Sequence, residues 1–297
     1  MAIPESQLET WSHIGAGKGS AYTYNHVKDV LESRASPYAD KKVSVFLQGS
    51  YGNDTNIYAE SDVDVVICLN DCFQSDRSKL NPAEEAAWRL THHDAKYTHV
   101  DFKREVLSFL EDNYGDDVKP GKKAILIEAT SNRRKADVIT AVQYRRYYKF
   151  NGVNDQSYEE GICFHTNDGV MIANYPKQHR ANLITKHQNS SSWLKPMVRI
   201  MKNMRSRLVD DGLIKAGAAP SYFIEGMLYN VPSDRFHTNY DTCFVNAFNW
   251  INSEADQAKL LCANEQYLLI YEGTPTCWAK SDFQTFMNGL RELWTQW

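Results

Sequence analysis

Phe46-Leu47-Gln48-Gly49-Ser50-Tyr51-Gly52, followed closely by Ser61-Asp62-Val63-Asp64-Val65-Val66-Ile67-Cys68-Leu69, is the stretch whose reading decides the fold. Residues i and i+2 of a strand project from the same face, so Asp62 and Asp64 point together while Val63 and Val65 pack behind them. Two like charges this close repel unless a cation or solvent compensates them. Mg²⁺ suits the gap, because it is held by one or two carboxylates together with substrate phosphates. Upstream, Val43-Ser44-Val45-Phe46-Leu47 reads as a buried strand, and Gly49 lets the backbone turn and approach a phosphate closely. Ser50 adds a hydroxyl donor, and the N–H groups that follow can face an anion. A solvated strand end or an ordinary loop explains either part alone. Together they form the arrangement that metal-dependent transfer of a nucleotide requires.

Two-metal chemistry asks for one more carboxylate, to complete the inner metal's shell and help deprotonate the attacking hydroxyl. Asp137 is the candidate. It lies in the β-type run Ala136-Asp137-Val138-Ile139-Thr140-Ala141-Val142, preceded by Ala124-Ile125-Leu126-Ile127-Glu128-Ala129. The polar link Thr130-Ser131-Asn132-Arg133-Arg134-Lys135 would make a hairpin that lays Asp137 beside the Asp62/Asp64 strand. Glu128 competes for the role, but an acidic residue opening a strand sits better at the mouth of a site. The alternative for Asp137 is a surface pairing with the adjacent Arg-Arg-Lys cluster.

With these residues in place, the chain resembles the DNA polymerase β-type nucleotidyltransferase superfamily. More narrowly, it is similar to the bacterial cGAS/DncV-like nucleotidyltransferases, the CD-NTases that make cyclic oligonucleotide second messengers in anti-phage defence. Supporting segments are Gln48 to Thr55, Ala173-Asn174-Tyr175-Pro176-Lys177-Gln178-His179, Val198-Arg199-Ile200-Met201-Lys202-Asn203 and Pro220-Ser221-Tyr222-Phe223-Ile224-Glu225. The resemblance spans nearly the whole chain. It implies an α/β (α+β) polymerase β-like core with a mixed sheet, joined to a C-terminal helical lobe, with the active site in the cleft between them. Asp62, Asp64 and Asp137 would then bind two Mg²⁺ ions, with Mn²⁺ as a substitute. Gly49 and Ser50, with Gln48 beside them, would hold the donor nucleotide. Lys202 would reach the triphosphate as a point charge, and Ser221 would join it where a helix begins. Tyr222 would stack on the base. Asn167 and Asn174 are candidate base readers, although either residue type also satisfies a turn.

Composition agrees with that class. At 297 residues with 42% hydrophobic content, the chain can bury a full core and build two lobes. No stretch approaches the ~20 apolar residues of a membrane span, and Met1-Ala2-Ile3-Pro4-Glu5-Ser6 lacks a signal-peptide pattern, so a cytoplasmic protein is expected. Six cysteines are scattered without zinc spacing, and free thiols in a reducing compartment are the default. A net charge of −4 argues against duplex DNA as a direct partner. The expected partners are nucleoside triphosphates and an effector reached through the product; a monomer is favoured.

Elsewhere the pattern is coarser. Tyr24, Val27, Val30 and Leu31 repeat at helical spacing, which predicts a helix over about 20 to 35. Gly15-Ala16-Gly17-Lys18-Gly19-Ser20 fails as a P-loop, since Gly19 follows the lysine and no strand precedes it. Residues 82 to 112 carry mostly helical character, opening at Asn81-Pro82. Their histidines, His92, His93 and His99, have no ligand partners at matched spacing. Gly161 to His165 and Gly169 to Ala173 form a strand pair around Thr166-Asn167-Asp168. The nucleotidyltransferase core is expected over 1–180, with an N-terminal helix, and the helical lobe over 181–297. There Met197, Ile200, Met201, Met204 and Leu208 make an apolar stripe that stops at Gly212. Lys195, Arg199, Lys202 and Ser206 align on another face, which reads either as a solvated stripe or as a phosphate-binding one. Trp250, Trp278, Trp294 and Trp297 read as anchors closing the lobe.

Two other functions use the same residues. One is template-independent nucleotide addition to RNA, protein or a small molecule, which needs the same triad and differs in its acceptor. The other is a non-catalytic nucleotide-binding subunit, although such chains often lose an acidic ligand and this one keeps three.

Overall fold

The computed structural model describes residues 2–15, 18–60, 62–236 and 239–297. Ala16 and Gly17 of the glycine-rich lead-in, and Ser61 ahead of the paired carboxylates, lie outside the described residues. In chain order the helices are α1 (Glu5–Ser12), α2 (Lys18–Leu31), α3 (Gly49–Gly52), α4 (Pro82–Thr91), α5 (His99–Tyr114), α6 (Pro176–Asn189), α7 (Leu194–Asp210), α8 (Ser221–Asn230), α9 (Tyr240–Asn249) and α10 (Lys280–Gln296). The strands are β1 (Val43–Gln48), β2 (Val63–Asp76), β3 (Val118–Pro120), β4 (Ile125–Ile127), β5 (Ala136–Phe150), β6 (Gln156–His165) and β7 (Met171–Asn174). The chain divides into two compact units that alternate along the sequence. One comprises Lys18–Gln48 and Asp62–Tyr175; the other comprises Met1–Gly17, Gly49–Ser61 and Pro176–Trp297. The Gly-Ser turn therefore groups with the C-terminal helices, although a single boundary near residue 180 was expected.

The first unit holds the sheet, ordered β1-β2-β5-β4-β3, with β6 on β5 and β7 on β6. β5 organises it, because fifteen residues are long enough to pair with β2 in parallel along one edge and with β4 and then β6 along the other. The expected hairpin is present, with Leu126 opposite Asp137. β1 departs from its expectation as a buried strand. It lies at the edge, pairing only with β2, and Val45 alone among its residues is buried. Its Val, Phe and Leu side chains look the same in sequence whether the strand is central or peripheral. The helical region over 82 to 112 is two helices rather than one. α4 starts at Asn81, whose side chain accepts from the N–H groups of Ala83 and Glu84. A second capping box, Thr98 with Asp101, opens α5. α5 buries Phe102, Val106 and Leu110, spaced for one face.

In the second unit α7 is the central element. Met197, Ile200, Met201, Met204 and Leu208 are all fully buried, as the period of the sequence predicts. The helix ends at Asp210, and Gly212 takes the left-handed φ of +70° that a C-terminal stop needs. Trp278 is buried in the same core, and its indole N–H donates to the Ala218 carbonyl at 2.7 Å. Among the described residues, no helix is long and apolar enough to cross a membrane, and all six cysteines are free thiols.

Candidate active site

Three of the sequence's candidates meet in the sheet unit. Across β1, β2 and β5, Gln48 stands opposite Asp64, and Asp64 opposite Asp137. Parallel partners in register share a face, so Asp64 and Asp137 lie side by side although 73 residues separate them. Their neighbours Val63, Val65, Ala136 and Val138 are fully buried on the other face, which fixes the register. Asp62 precedes β2, is exposed, and accepts from Lys135 Nζ at 3.1 Å. Lys135 of the basic cluster therefore pairs with Asp62 rather than with Asp137, and Arg133 pairs with Asp117. Burial raises the pKa of Asp137, the Lys135 charge lowers it, and the Asp62 carboxylate raises it further. These carboxylates offer hard oxygen donors, the kind that a divalent cation takes. Among the described residues no three His, Cys, Asp or Glu side chains converge as a preformed metal cage. Gln48 is half-buried, and its Oε1 has no hydrogen-bond partner.

The second unit carries the turn. Gly49 adopts φ of +69°, a conformation open to glycine at no steric cost, and Ser50 follows in the single turn α3. The Ser50 carbonyl accepts from Thr55 N–H at 2.9 Å. Beyond it, the segment 53–60 is held by charge. Asp54 takes a left-handed φ of +57°, with its carboxylate on Lys195 Nζ at 2.8 Å and its carbonyl on Arg199 Nη1 at 2.7 Å. Lys202 Nζ donates to the Thr55 carbonyl at 3.0 Å and pairs with Glu60 Oε2 at 3.2 Å. Arg205 forms an ion pair with the other Glu60 oxygen and donates to the Ala219 carbonyl at 2.9 Å. Ser221, at the start of α8, donates to Glu60 at 3.3 Å.

This polar face of α7 is not a solvated stripe: Lys195, Arg199, Lys202 and Arg205 are all buried. Burying a cation costs several kcal/mol unless it is paired, and each is paired with a carboxylate or carbonyls of the segment that follows the Gly-Ser turn. Burial nevertheless lowers the pKa of Lys202, with the Glu60 charge opposing it.

Glu225 on α8 is a second buried centre. It accepts from His179 Nε2 at 2.7 Å, from Asn53 Nδ2 at 3.0 Å and from the Thr55 hydroxyl. Burial raises its pKa, but the hydrogen bonds from His179 and Thr55 and the charge of Lys202 outweigh that, leaving it below the ordinary value. His179 Nδ1 is buried and makes no hydrogen bond. Glu60, Arg205, Glu225 and His179 were not singled out by sequence reasoning. Arg205 lies one turn beyond Lys202, but its importance depends on a partner 145 residues away.

The remaining candidates are committed to local contacts. Tyr222 stacks on His179 at 4.8 Å between ring centroids, and its hydroxyl accepts from Asn264. Asn167 donates to the Gly121 carbonyl and accepts from Lys103, both at 2.9 Å. The Asn174 side chain accepts from Tyr175 N–H at 2.8 Å. His99 is buried on the Thr140 carbonyl, and His92 stacks on Trp88, so neither is arranged as a metal ligand.

A Gly-Ser turn leaving one strand, paired aspartates at the start of the next, and a third aspartate in register on a parallel neighbour define the polymerase β-type class of nucleotidyltransferases. Comparison with known proteins narrows this. The family profile of the cGAS/DncV-like nucleotidyltransferase C-terminal helical domain matches residues 181–295. The chain is 37% identical to a cyclic UMP-AMP synthase of Rhodothermus marinus, covering 100% of this chain and 99% of that one. It is 34% identical to a cyclic nucleotide synthase of Staphylococcus haemolyticus, covering both completely. The structure of the Rhodothermus marinus c-UMP-AMP synthase with Apcpp and Upnpp superimposes with a TM-score of 0.86 at 36% identity, over 99% of this chain and 97% of that one. The chain belongs to the cGAS/DncV-like nucleotidyltransferases, and is an enzyme of the cyclic-nucleotide synthase type.

Proposed function

We propose that this enzyme joins two nucleoside triphosphates into a cyclic dinucleotide second messenger that acts in the cytoplasm in anti-phage signalling. The observation that carries this reading is the register of Asp64 against Asp137 beside Asp62. Asp62, Asp64 and Asp137 would hold two divalent ions, Mg²⁺ or Mn²⁺. When bound, such ions polarise phosphoryl oxygens and lower the pKa of an attacking hydroxyl. Asp137, in register with Asp64, would help to take the ribose hydroxyl's proton. Gly49 and Ser50 approach the donor's phosphates through backbone and hydroxyl, while Lys202 and Ser221 neutralise and orient the triphosphate. Tyr222 offers a π-face to a base, and Asn167 reads a base edge by exchanging its exposed contact with Lys103. ATP and UTP are the first pair to test, given the full-length likeness to a cyclic UMP-AMP synthase.

The test is incubation of the purified protein with Mg²⁺ or Mn²⁺ and labelled NTPs, singly and in pairs, with mass identification of phosphatase-resistant products. Asp62→Asn combined with Asp64→Asn abolishes product while the fold is retained. Turnover by that variant would refute the assignment, and products extended linearly on an added RNA or protein would favour the template-independent alternative.

A further inference from the structure

The Glu60 carboxylate occupies the groups that a triphosphate needs. It pairs with Lys202 at 3.2 Å, forms an ion pair with Arg205 and accepts from Ser221 at 3.3 Å. Lys202 is fully buried and the Arg205 side chain is 8% exposed, whereas that of Glu60 is 39% exposed. The carboxylate thus caps two cations on their solvent side. We propose that Glu60 is a built-in phosphate mimic: it fills the Lys202/Arg205/Ser221 anion site when no nucleotide is bound and is displaced by the incoming triphosphate, for which Arg205 is a direct ligand.

The charges favour such an exchange. Glu60 brings one negative charge to two buried cations, and a triphosphate brings several, with oxygens suited to the planar fork of an arginine. A buried lysine and arginine with no anion would be costly, so a resident carboxylate keeps the empty site folded. The same carboxylate must be expelled before substrate binds, so it weakens apparent affinity. Glu60 also lies two residues before Asp62 in sequence, in a segment whose other anchors, Asp54 and Thr55, do not depend on it.

This inference rests on the proposed triphosphate roles of Lys202 and Ser221, and binding rather than turnover tests it. Inorganic tripolyphosphate and non-hydrolysable ATP and UTP analogues are titrated by calorimetry into the full chain and its Glu60→Gln variant, with thermal unfolding measured in parallel. The variant should bind tripolyphosphate and the analogues about tenfold more tightly, since one charged competitor is gone. Its melting temperature should fall without ligand and recover with tripolyphosphate by more than the wild type gains. Arg205→Gln should weaken tripolyphosphate binding and shrink the gain from Glu60→Gln in the double variant. Unchanged or weaker binding by a folded Glu60→Gln protein overturns the proposal, because it shows the ion pair to be structural only. A variant that folds neither alone nor with tripolyphosphate overturns it as well. The two readings separate cleanly. Tighter binding without any cyclic product leaves the mimic standing and removes the synthase assignment; cyclic product with unaltered binding does the reverse.

Discussion

Glu225→Gln is the most informative single perturbation of the helical unit. The carboxylate takes donors on both oxygens: His179 Nε2 and Asn53 Nδ2 on one, the Thr55 hydroxyl on the other. Glutamine keeps the shape but offers one carbonyl oxygen and one NH₂. With the carbonyl toward His179 and Asn53, two bonds survive as neutral ones, each weaker by about 1 kcal/mol than its charged counterpart. The NH₂ then faces Thr55, whose hydroxyl must turn to accept, and Lys202 loses a neighbouring anion. The summed cost is about 2–3 kcal/mol, which for a chain of this size lowers the melting temperature by roughly 3–5 °C. The sign of the pH dependence follows from the lowered pKa of Glu225. Its contribution is fully present above the unfolded-state pKa and is lost as pH falls through the folded value. The gap between wild type and variant should therefore be constant near neutral pH and close in acid, below about pH 4.3. Thermal unfolding across pH 3 to 8 measures both. A shift under about 2 °C at neutral pH, or a gap that widens on acidification, would refute the account.

Two further substitutions test the packing that positions these sites. Trp278→Phe keeps most of the buried ring but leaves the Ala218 carbonyl without its indole donor. It should cost about 1–3 kcal/mol, read as a lower urea midpoint at unchanged slope. Gly161→Ala would place a Cβ 2.5 Å from the Asn174 carbonyl and 2.8 Å from the Tyr175 ring, where β6 meets β7. Overpacking of this kind costs about 1–3 kcal/mol, and an unaltered urea midpoint would show that the strand pair can shift to admit a methyl group.

What could be read from the sequence was what is local. The Gly-Ser turn, the alternation that buries Val63 and Val65 and leaves Asp64 between them, and the hairpin ahead of Asp137 each follow from a few neighbouring residues. The partner of a strand does not. Nothing near Asp137 says that β5 runs parallel to β2 and sets Asp137 opposite Asp64. α7 shows the same division on its two faces. Its apolar stripe follows the helical period, and the burial of Met197 to Leu208 needs no further information. Its basic face is ambiguous in sequence, because a lysine every few residues ordinarily means solvent. Only the return of residues 54–60 over that face decides that Lys195, Arg199, Lys202 and Arg205 are buried.

Each unit carries its own electrostatic imbalance. In the sheet unit, Asp62 pairs with Lys135, and Asp137 is raised in pKa by burial and by the Asp62 charge against the pull of Lys135. In the helical unit, Lys202 and Arg205 share one carboxylate, Glu60, whose exposed side makes it replaceable. A divalent ion suits the carboxylates of the first and a triphosphate the buried cations of the second, so the two ligands can be titrated separately. In the Glu60→Gln protein one competitor for the triphosphate is gone whether or not metal is present, so the affinities measured with and without Mg²⁺ should rise by the same factor. A rise confined to one of the two conditions would show that Glu60 is not a simple competitor for the phosphate site.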